Sequence, residues 1–265
     1  MLDKRLIGER NTLAILGFVH RFGWLTSRML SALVWPTASQ APAMARRAVK
    51  ALVDDGMLLR RPLPDGGDCY TLSAAGARFL NDAAGTLASS GASLSLGNPV
   101  HRACSNWYLI HHLNDGTAVW TEHEIQTGRA PFTTIDGKVP DGLLELDEGL
   151  VWVEVENAWK NRKERQKVVT FCERHLLPNS QLCELAPNRY LFRIAIVGTS
   201  PDALRAMVRS FEDAHATGLL RDGQAGDIDL VLLPVDKSLV AGELVTVNLY
   251  WDALCPAGLE VPAAP

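Results

Sequence analysis

The sequence predicts an α/β protein of two domains, and three observations carry that prediction. Charge divides the 265 residues: 1–80 hold 11 Lys and Arg against 6 Asp and Glu, a net +5, and 81–265 hold 15 against 24, a net −9. A stretch without charge and rich in Ala, Ser and Gly, residues 83–99, lies at the division and reads as a linker. The apolar periodicity changes across it, from helices ending in one hairpin to strands alternating with helices. The expected domains are therefore 1–82 and 100–254, with 255–265, rich in Pro and Ala, as a flexible tail.

Composition narrows the class before any motif is read. Hydrophobic residues are 47% and charged residues 21% of the chain, as in an ordinary globular protein, which excludes wholesale disorder. No apolar run reaches the roughly 18 residues of a membrane span. No apolar signal core follows Met1-Leu2-Asp3-Lys4-Arg5, so a cytoplasmic location is expected. Five cysteines without a CxxC pair fit a reducing compartment and argue against a disulfide framework. The net charge of −4 argues against nucleic-acid binding only until it is divided at the linker.

In the first domain, residues 10–22 place Leu13, Leu16 and Val19 at helical spacing, and Gly23 stops the helix. Thr26 N-caps a helix over 27–34, which ends before Pro36. Residues 41–55 carry Met44, Ala48, Val49 and Leu52 on one face, with Gly56 as the stop signal. Residues 57–61 and 68–72 read as two strands joined by Pro64-Asp65-Gly66-Gly67. Ser73 caps a fourth helix, 74–82.

Three helices followed by a hairpin resemble the winged helix-turn-helix, in which the third helix enters the major groove and the hairpin lies against the backbone. That resemblance makes Arg46, Arg47 and Lys50 on the third helix, and Arg60 and Arg61 on the hairpin, the expected DNA contacts. Such residues also serve simply to solvate a helix, and some winged helices bind protein.

In the second domain, residues 100–114 suit a helix with Cys104, Trp107, Tyr108 and His111 along a stripe. After the turn at Asn114-Asp115-Gly116 come 118–126 and then 138–146. Asp147-Glu148-Gly149 turns the chain into a strand over 150–156. In that strand Val151, Val153 and Val155 face one side and Trp152, Glu154 and Glu156 the other. A basic helix from 159 to about 177 contains Lys160, Arg162, Lys163, Arg165 and Lys167. Further strands over 190–197, 228–234 and 243–250, and a helix begun by Pro201, complete a mixed sheet covered by helices.

The hairpin sets Asp141, at the start of one strand, beside the end of its partner, where Glu154 and Glu156 share a face. Lys160, four residues on, reaches back from the helix. Hard carboxylate oxygens so grouped suit Mg²⁺ or Mn²⁺, and a bound cation relieves their mutual repulsion. The alternative for these residues is an exposed strand edge followed by a solvated charged helix.

Pro140-Asp141 followed by Glu154-Val155-Glu156 resembles the PD-(D/E)xK nuclease motif, with Glu156 at the usual lysine place and the lysine moved to Lys160. Joined to an N-terminal winged helix, the Asp…ExExxxK array resembles the MOBC class of conjugative relaxases, which is related to the replication-relaxation family. The resemblance covers residues 10–200. It implies a restriction-endonuclease-like second domain that nicks plasmid DNA at a transfer origin, with a conjugation coupling protein as a further partner. Carried over, Asp141 and Glu154 are metal ligands, Glu156 a third ligand or base, and Lys160 the electrophilic stabiliser. Glu122 or Glu124 would complete the site. Arg162, Lys163, Arg165 and Lys167 would contact phosphates. Two rival readings remain: a replication or transcription regulator that keeps the nuclease fold without cutting, and a restriction-type endonuclease.

Other groups give less. His111 and His112 are adjacent, and His101 and His175 have no spaced partner. The three-histidine motif of the better-known relaxase class is absent, as is a GxxxxGK[ST] loop. Tyr70, Tyr108, Tyr190 and Tyr250 are the only tyrosines, and spacing selects none of them over water as a nucleophile.

Overall fold

The first helix begins well before its apolar stripe does. In the computed structural model, which describes residues 4–64, 66–157, 161–177 and 181–248, α1 spans Lys4–Phe22. Its first turns are exposed and carry an Arg5–Glu9 ion pair at 3.0 Å. A polar helical turn is held by i,i+4 pairing rather than burial, so apolar periodicity starting at Leu13 does not report it.

The chain divides into two units, chiefly residues 1–99 and 100–236. In the first, β1 (Leu25–Thr26), α2 (Ser27–Val34), α3 (Ala41–Asp54), β2 (Leu58–Pro62), β3 (Asp68–Leu72) and α4 (Ala74–Ala84) follow α1. Thr26 caps α2, its hydroxyl accepting from the Met29 amide at 3.2 Å. The buried stripe of α3 is Ala41, Ala45, Val49 and Leu52, which leaves Met44 and Ala48 at its flank. The expected hairpin forms, with Leu58 opposite Leu72 and Arg61 opposite Cys69. The two-residue β1 adds to β3 and is too short for a sequence pattern. Leu16, Phe22, Trp24 and Leu30 are fully buried, each contributing roughly 1.5–3 kcal/mol.

Ser73 joins α4 to the hairpin, accepting from the Gly76 amide at 2.9 Å and donating to the Gly56 carbonyl at 2.6 Å. The helix lies so close that a Cβ on Gly76 would sit 2.1 Å from the Met57 carbonyl oxygen. The segment expected to be a loose linker is fastened down. The Asn81 side chain bonds Thr86 and both backbone groups of Ala88, and the Gly91 amide donates to the Leu72 carbonyl at 2.9 Å. The lack of propensity in 83–99 is real, but its backbone takes partners from residues that its own composition does not reveal.

The second unit contains α5 (Pro99–Asn114), β4 (Ala118–Thr121), α6 (Glu122–Gln126), β5 (Gly142–Leu146), β6 (Gly149–Glu156), α7 (Arg162–His175), β7 (Cys183–Ala186), β8 (Arg189–Gly198), α8 (Pro201–Ala216), α9 (Asp222–Ala225), β9 (Ile228–Leu232) and β10 (Val245–Asn248). The mixed sheet runs β10-β9-β8-β6-β5-β4, with β7 paired to β8. Strands β4, β5 and β6 are antiparallel neighbours, and β6, β8 and β9 are parallel. α7 and α8 supply the crossovers that parallel pairing requires. The tight turn into β6 uses Gly149 at φ 145°, where a Cβ would meet the Tyr190 carbonyl at 2.8 Å.

Trp152, Leu143, Ile194 and Ile196 pack with Val169, Cys172, Met207 and Phe211 in one buried cluster, so α7 and α8 cover that face of the sheet. Leu109 of α5 lies against Gly142 on the other face. β6 is thus an internal strand, and Leu150 to Glu156 are all buried. Lys160, Tyr250 and the tail 255–265 lie outside the described residues. Among the described residues no helix is long and apolar enough to cross a membrane.

Candidate active site

Three strands end together at the proposed site. Thr121 pairs with Gly142, and Gly142 with Val153, so the end of β4, the start of β5 and the end of β6 lie side by side. Asp141 is fixed at this junction from several directions. Its amide donates to the Val153 carbonyl at 3.0 Å, and its carboxylate Oδ2 accepts from the Val155 amide at 2.7 Å. Asp141 Oδ1 lies 2.9 Å from His101 Nε2 on α5, and Ser105 Oγ donates to the Asp141 carbonyl at 2.5 Å. The side chain thus continues the β5–β6 ladder where backbone pairing stops.

Glu154 and Glu156 are 4% and 1% exposed, which removes the reading of an exposed strand edge. Burying a carboxylate is costly unless a cation or donors answer it. For Glu154 the answer is Lys138, whose Nζ is 2.7 Å from Oε1. On the α7 side of this strand, burial pushes the Cys172 thiol up, and the nearby Glu154 charge raises it further.

The two acids of α6 separate by role. Glu124 closes a capping box with Thr121, accepting from its amide at 2.9 Å. Glu122 pairs with Arg102. Burial raises the Glu122 carboxyl above its ordinary value against the pull of Arg102, and the charge of Asp141 raises it further. Glu122 therefore belongs electrostatically to the Asp141 neighbourhood.

Sequence reasoning missed His101, Lys138 and Arg102. His101 and Asp141 are 40 positions apart, and no local pattern links them. Lys138 stands three residues before Asp141, near enough along the chain to be read as a local cation for the acids. His175 also gains partners, with Nε2 3.1 Å from Asp136 Oδ2 and Nδ1 3.5 Å from Cys183 Sγ.

The donor types suit a hard divalent cation, but their arrangement does not hold one. Asp141 is engaged on the α5 side by His101, and Glu154 on the α7 side by Lys138. Among the described residues no group of three or more His, Cys, Asp or Glu side chains is gathered to bind a metal ion. Of the tyrosines, Tyr108 is buried, and burial raises its hydroxyl pKa, which disfavours it as a nucleophile.

The expected DNA contacts also sort by surroundings. Arg46, Arg47 and Lys50 are exposed on α3, with Lys50 paired to Asp54. Arg60 pairs with Asp68 at 2.8 Å, and that hydrogen bond raises its pKa. Arg61 donates to the carbonyls of Gly91, Ala92 and Leu94 at 3.3 Å, a use within the chain. On α7, Arg162 lies 3.9 Å from Asp213 and Arg165 donates to Ser210. Lys163 and Lys167 instead line a cleft. No family model matches this chain, and no curated protein or solved structure matches it either.

Proposed function

We propose that this chain is a DNA-nicking protein of the conjugative relaxase type. In this reading the first unit is a winged helix that binds duplex DNA through α3, and the second cleaves one strand at the Asp141–Glu154–Glu156 junction, where Mg²⁺ or Mn²⁺ would have to take the place of Lys138 at Glu154 and of His101 at Asp141. The target would be a plasmid transfer origin, and a conjugation coupling protein a further partner. The observation that carries the reading is the burial of Glu154 and Glu156 at the end of an internal strand, next to a clamped Asp141. A chain does not bury two carboxylates at one sheet end for packing alone, because apolar residues of similar volume would be at least as stable there.

A second reading has a specific observation in its favour. Lys138 and His101 already occupy Glu154 and Asp141, as they would in a DNA-binding regulator that has kept the fold without cutting. Incubating a supercoiled plasmid carrying the native neighbouring DNA with Mn²⁺ separates the two. Cleavage predicts an open-circular product that Asp141→Ala and Glu154→Ala both abolish. Nicking by both variants at the wild-type rate would remove these acids from the chemistry. No nicking by the wild type would leave the regulator.

A further inference from the structure

Three reactive groups that nicking does not use meet in the second unit. Cys183 Sγ lies 3.5 Å from His175 Nδ1, and His175 Nε2 lies 3.1 Å from Asp136 Oδ2. Thiol, imidazole and carboxylate in that order make up an activated nucleophile: a base within reach of it, and a third group that orients the base. The three come from separate elements, with Asp136 39 positions before His175 and Cys183 eight after it.

Each element fixes its group. Asp136 and Gly137 stand at φ 49° and 75°, in a turn closed by two backbone hydrogen bonds of 2.9 Å between Ile135 and Lys138. Asp-Gly at positive φ is a preferred pair for so tight a turn, so the carboxylate stands on a fixed backbone. Its Oδ2 also accepts from Arg174 at 2.7 Å, which holds it ionised. His175 ends α7, where Gln224 donates to the Glu173 and Leu176 carbonyls at 2.9 and 2.7 Å. The His175 ring is buried against Phe171, with centroids 4.4 Å apart. Cys183 opens β7 opposite Leu191 of β8.

This order of contacts sets the protonation. A carboxylate only accepts, so Nε2 carries the imidazole hydrogen and Nδ1 presents its lone pair to the thiol. Burial and the charge of Asp136 raise the Cys183 thiol above its ordinary value, so attack by its sulfur waits on a base, and His175 is within reach. Cys69, Cys104 and Cys172 are buried, whereas Cys183 is half-buried. Asp136 and Arg174 line a cleft of about 730 Å³, so the carboxylate end of the relay is open to solvent.

We propose that Cys183 is a modification site that forms a mixed disulfide with a low-molecular-weight disulfide, with His175 as its base and Asp136 as the positioning residue. The Cys183 sulfur attacks one sulfur of the small disulfide while its proton passes to His175 Nδ1. A Cys183–S–S–R bond forms and the original S–S bond breaks. The departing thiolate takes the proton from the imidazolium and leaves as RSH. Cys183 is oxidised, and one half of the small disulfide is reduced. DNA has no part in this step, so it stands or falls apart from nicking.

The test is incubation of the full chain with oxidised glutathione at neutral pH, with the mixed disulfide at each cysteine followed in time by peptide mass spectrometry. Cys183 should be modified well before Cys69, Cys104 and Cys172. His175→Ala should slow its modification about tenfold, below the roughly 10²–10⁴ that a positioned base gives in an enzyme. Added imidazole should restore the rate in His175→Ala and leave the wild type unchanged, which a loss of packing alone would not allow. Asp136→Asn, on the surface turn, should slow the reaction a few-fold with the thermal midpoint close to wild type. Modification of Cys183 no faster than that of the buried cysteines would overturn the proposal. So would a His175→Ala rate equal to wild type, or a loss that imidazole does not restore.

Discussion

Replacing Lys138 by Met tests whether the buried carboxylate is answered by the residue that the structure pairs with it. Lys138 Nζ is 2.7 Å from Glu154 Oε1, with side chains 22% and 5% exposed. At an effective dielectric of about 20 the direct attraction is roughly 6 kcal/mol. Most of that offsets the desolvation of the two ions, so the measurable quantity is the cost of leaving Glu154 buried without its cation. Breaking a buried pair on one side typically costs about 3–5 kcal/mol. Lys138 keeps some contact with water, so Lys138→Met should destabilise the second unit by about 2–4 kcal/mol. Adding Glu154→Gln should return most of the loss, because removing both charges is often close to neutral. The assay is urea unfolding of the full chain at pH 7 over the four-member cycle, repeated at high salt, where a buried pair changes little. A loss below about 0.5 kcal/mol, which is the range of ordinary surface changes, would refute the assignment. So would a double variant as unstable as Lys138→Met alone.

Three further outcomes follow from other contacts. Gly76→Ala drives a Cβ to 2.1 Å from the Met57 carbonyl. Overpacking against backbone should cost about 1–3 kcal/mol or more, read as a lower thermal midpoint, and an unchanged midpoint would contradict the packing of α4. Asp136 is held below the usual carboxylate range, chiefly by the Arg174 hydrogen bond. Its stabilisation is present above the unfolded value, about 3.9, and is lost as pH falls through the lower folded one. Asp136→Asn should therefore flatten the acid limb of the stability–pH curve, and an acid limb parallel to wild type would refute the pairing. Burial pushes Cys69 up to about 11 and raises Cys104 and Cys172 as well. Of the described cysteines, half-buried Cys183 should take iodoacetamide first at pH 8, and mass spectrometry finding Cys104 labelled as fast would contradict the burial.

Much of the fold was legible because its signals are local. Thr26, Ser73 and the 64–67 turn announce the boundaries of α2, α4 and the hairpin within a few residues. The β5–β6 hairpin follows from alternation around Asp147-Glu148-Gly149. What was illegible depended on residues far along the chain. The 86–94 segment is ordered by Asn81, Arg61 and Leu72, none of which its own composition reveals. The polar start of α1 and the short β1 and β7 carry no apolar period to read.

The candidate site divides in the same way. Its acids could be named from sequence, because the hairpin register brings Asp141 to Glu154 and Glu156 through adjacent residues. Whether they face water could not be named. An alternating strand at a sheet edge and one inside a sheet can carry the same residues, and only the parallel pairing of β6 with β8 decides that Glu154 and Glu156 are buried. Once buried they must be compensated, and compensation is a matter of distance in space. Local patterns along the chain suffice for most of the longer elements, the division of charge and the carboxylates at one hairpin. Only the folded chain brings His101 to Asp141 and Lys138 to Glu154, and lines a cleft with Lys163 and Lys167 while Arg162 lies toward Asp213. Electrostatic energy falls with separation through the fold, and separation along the chain does not report it.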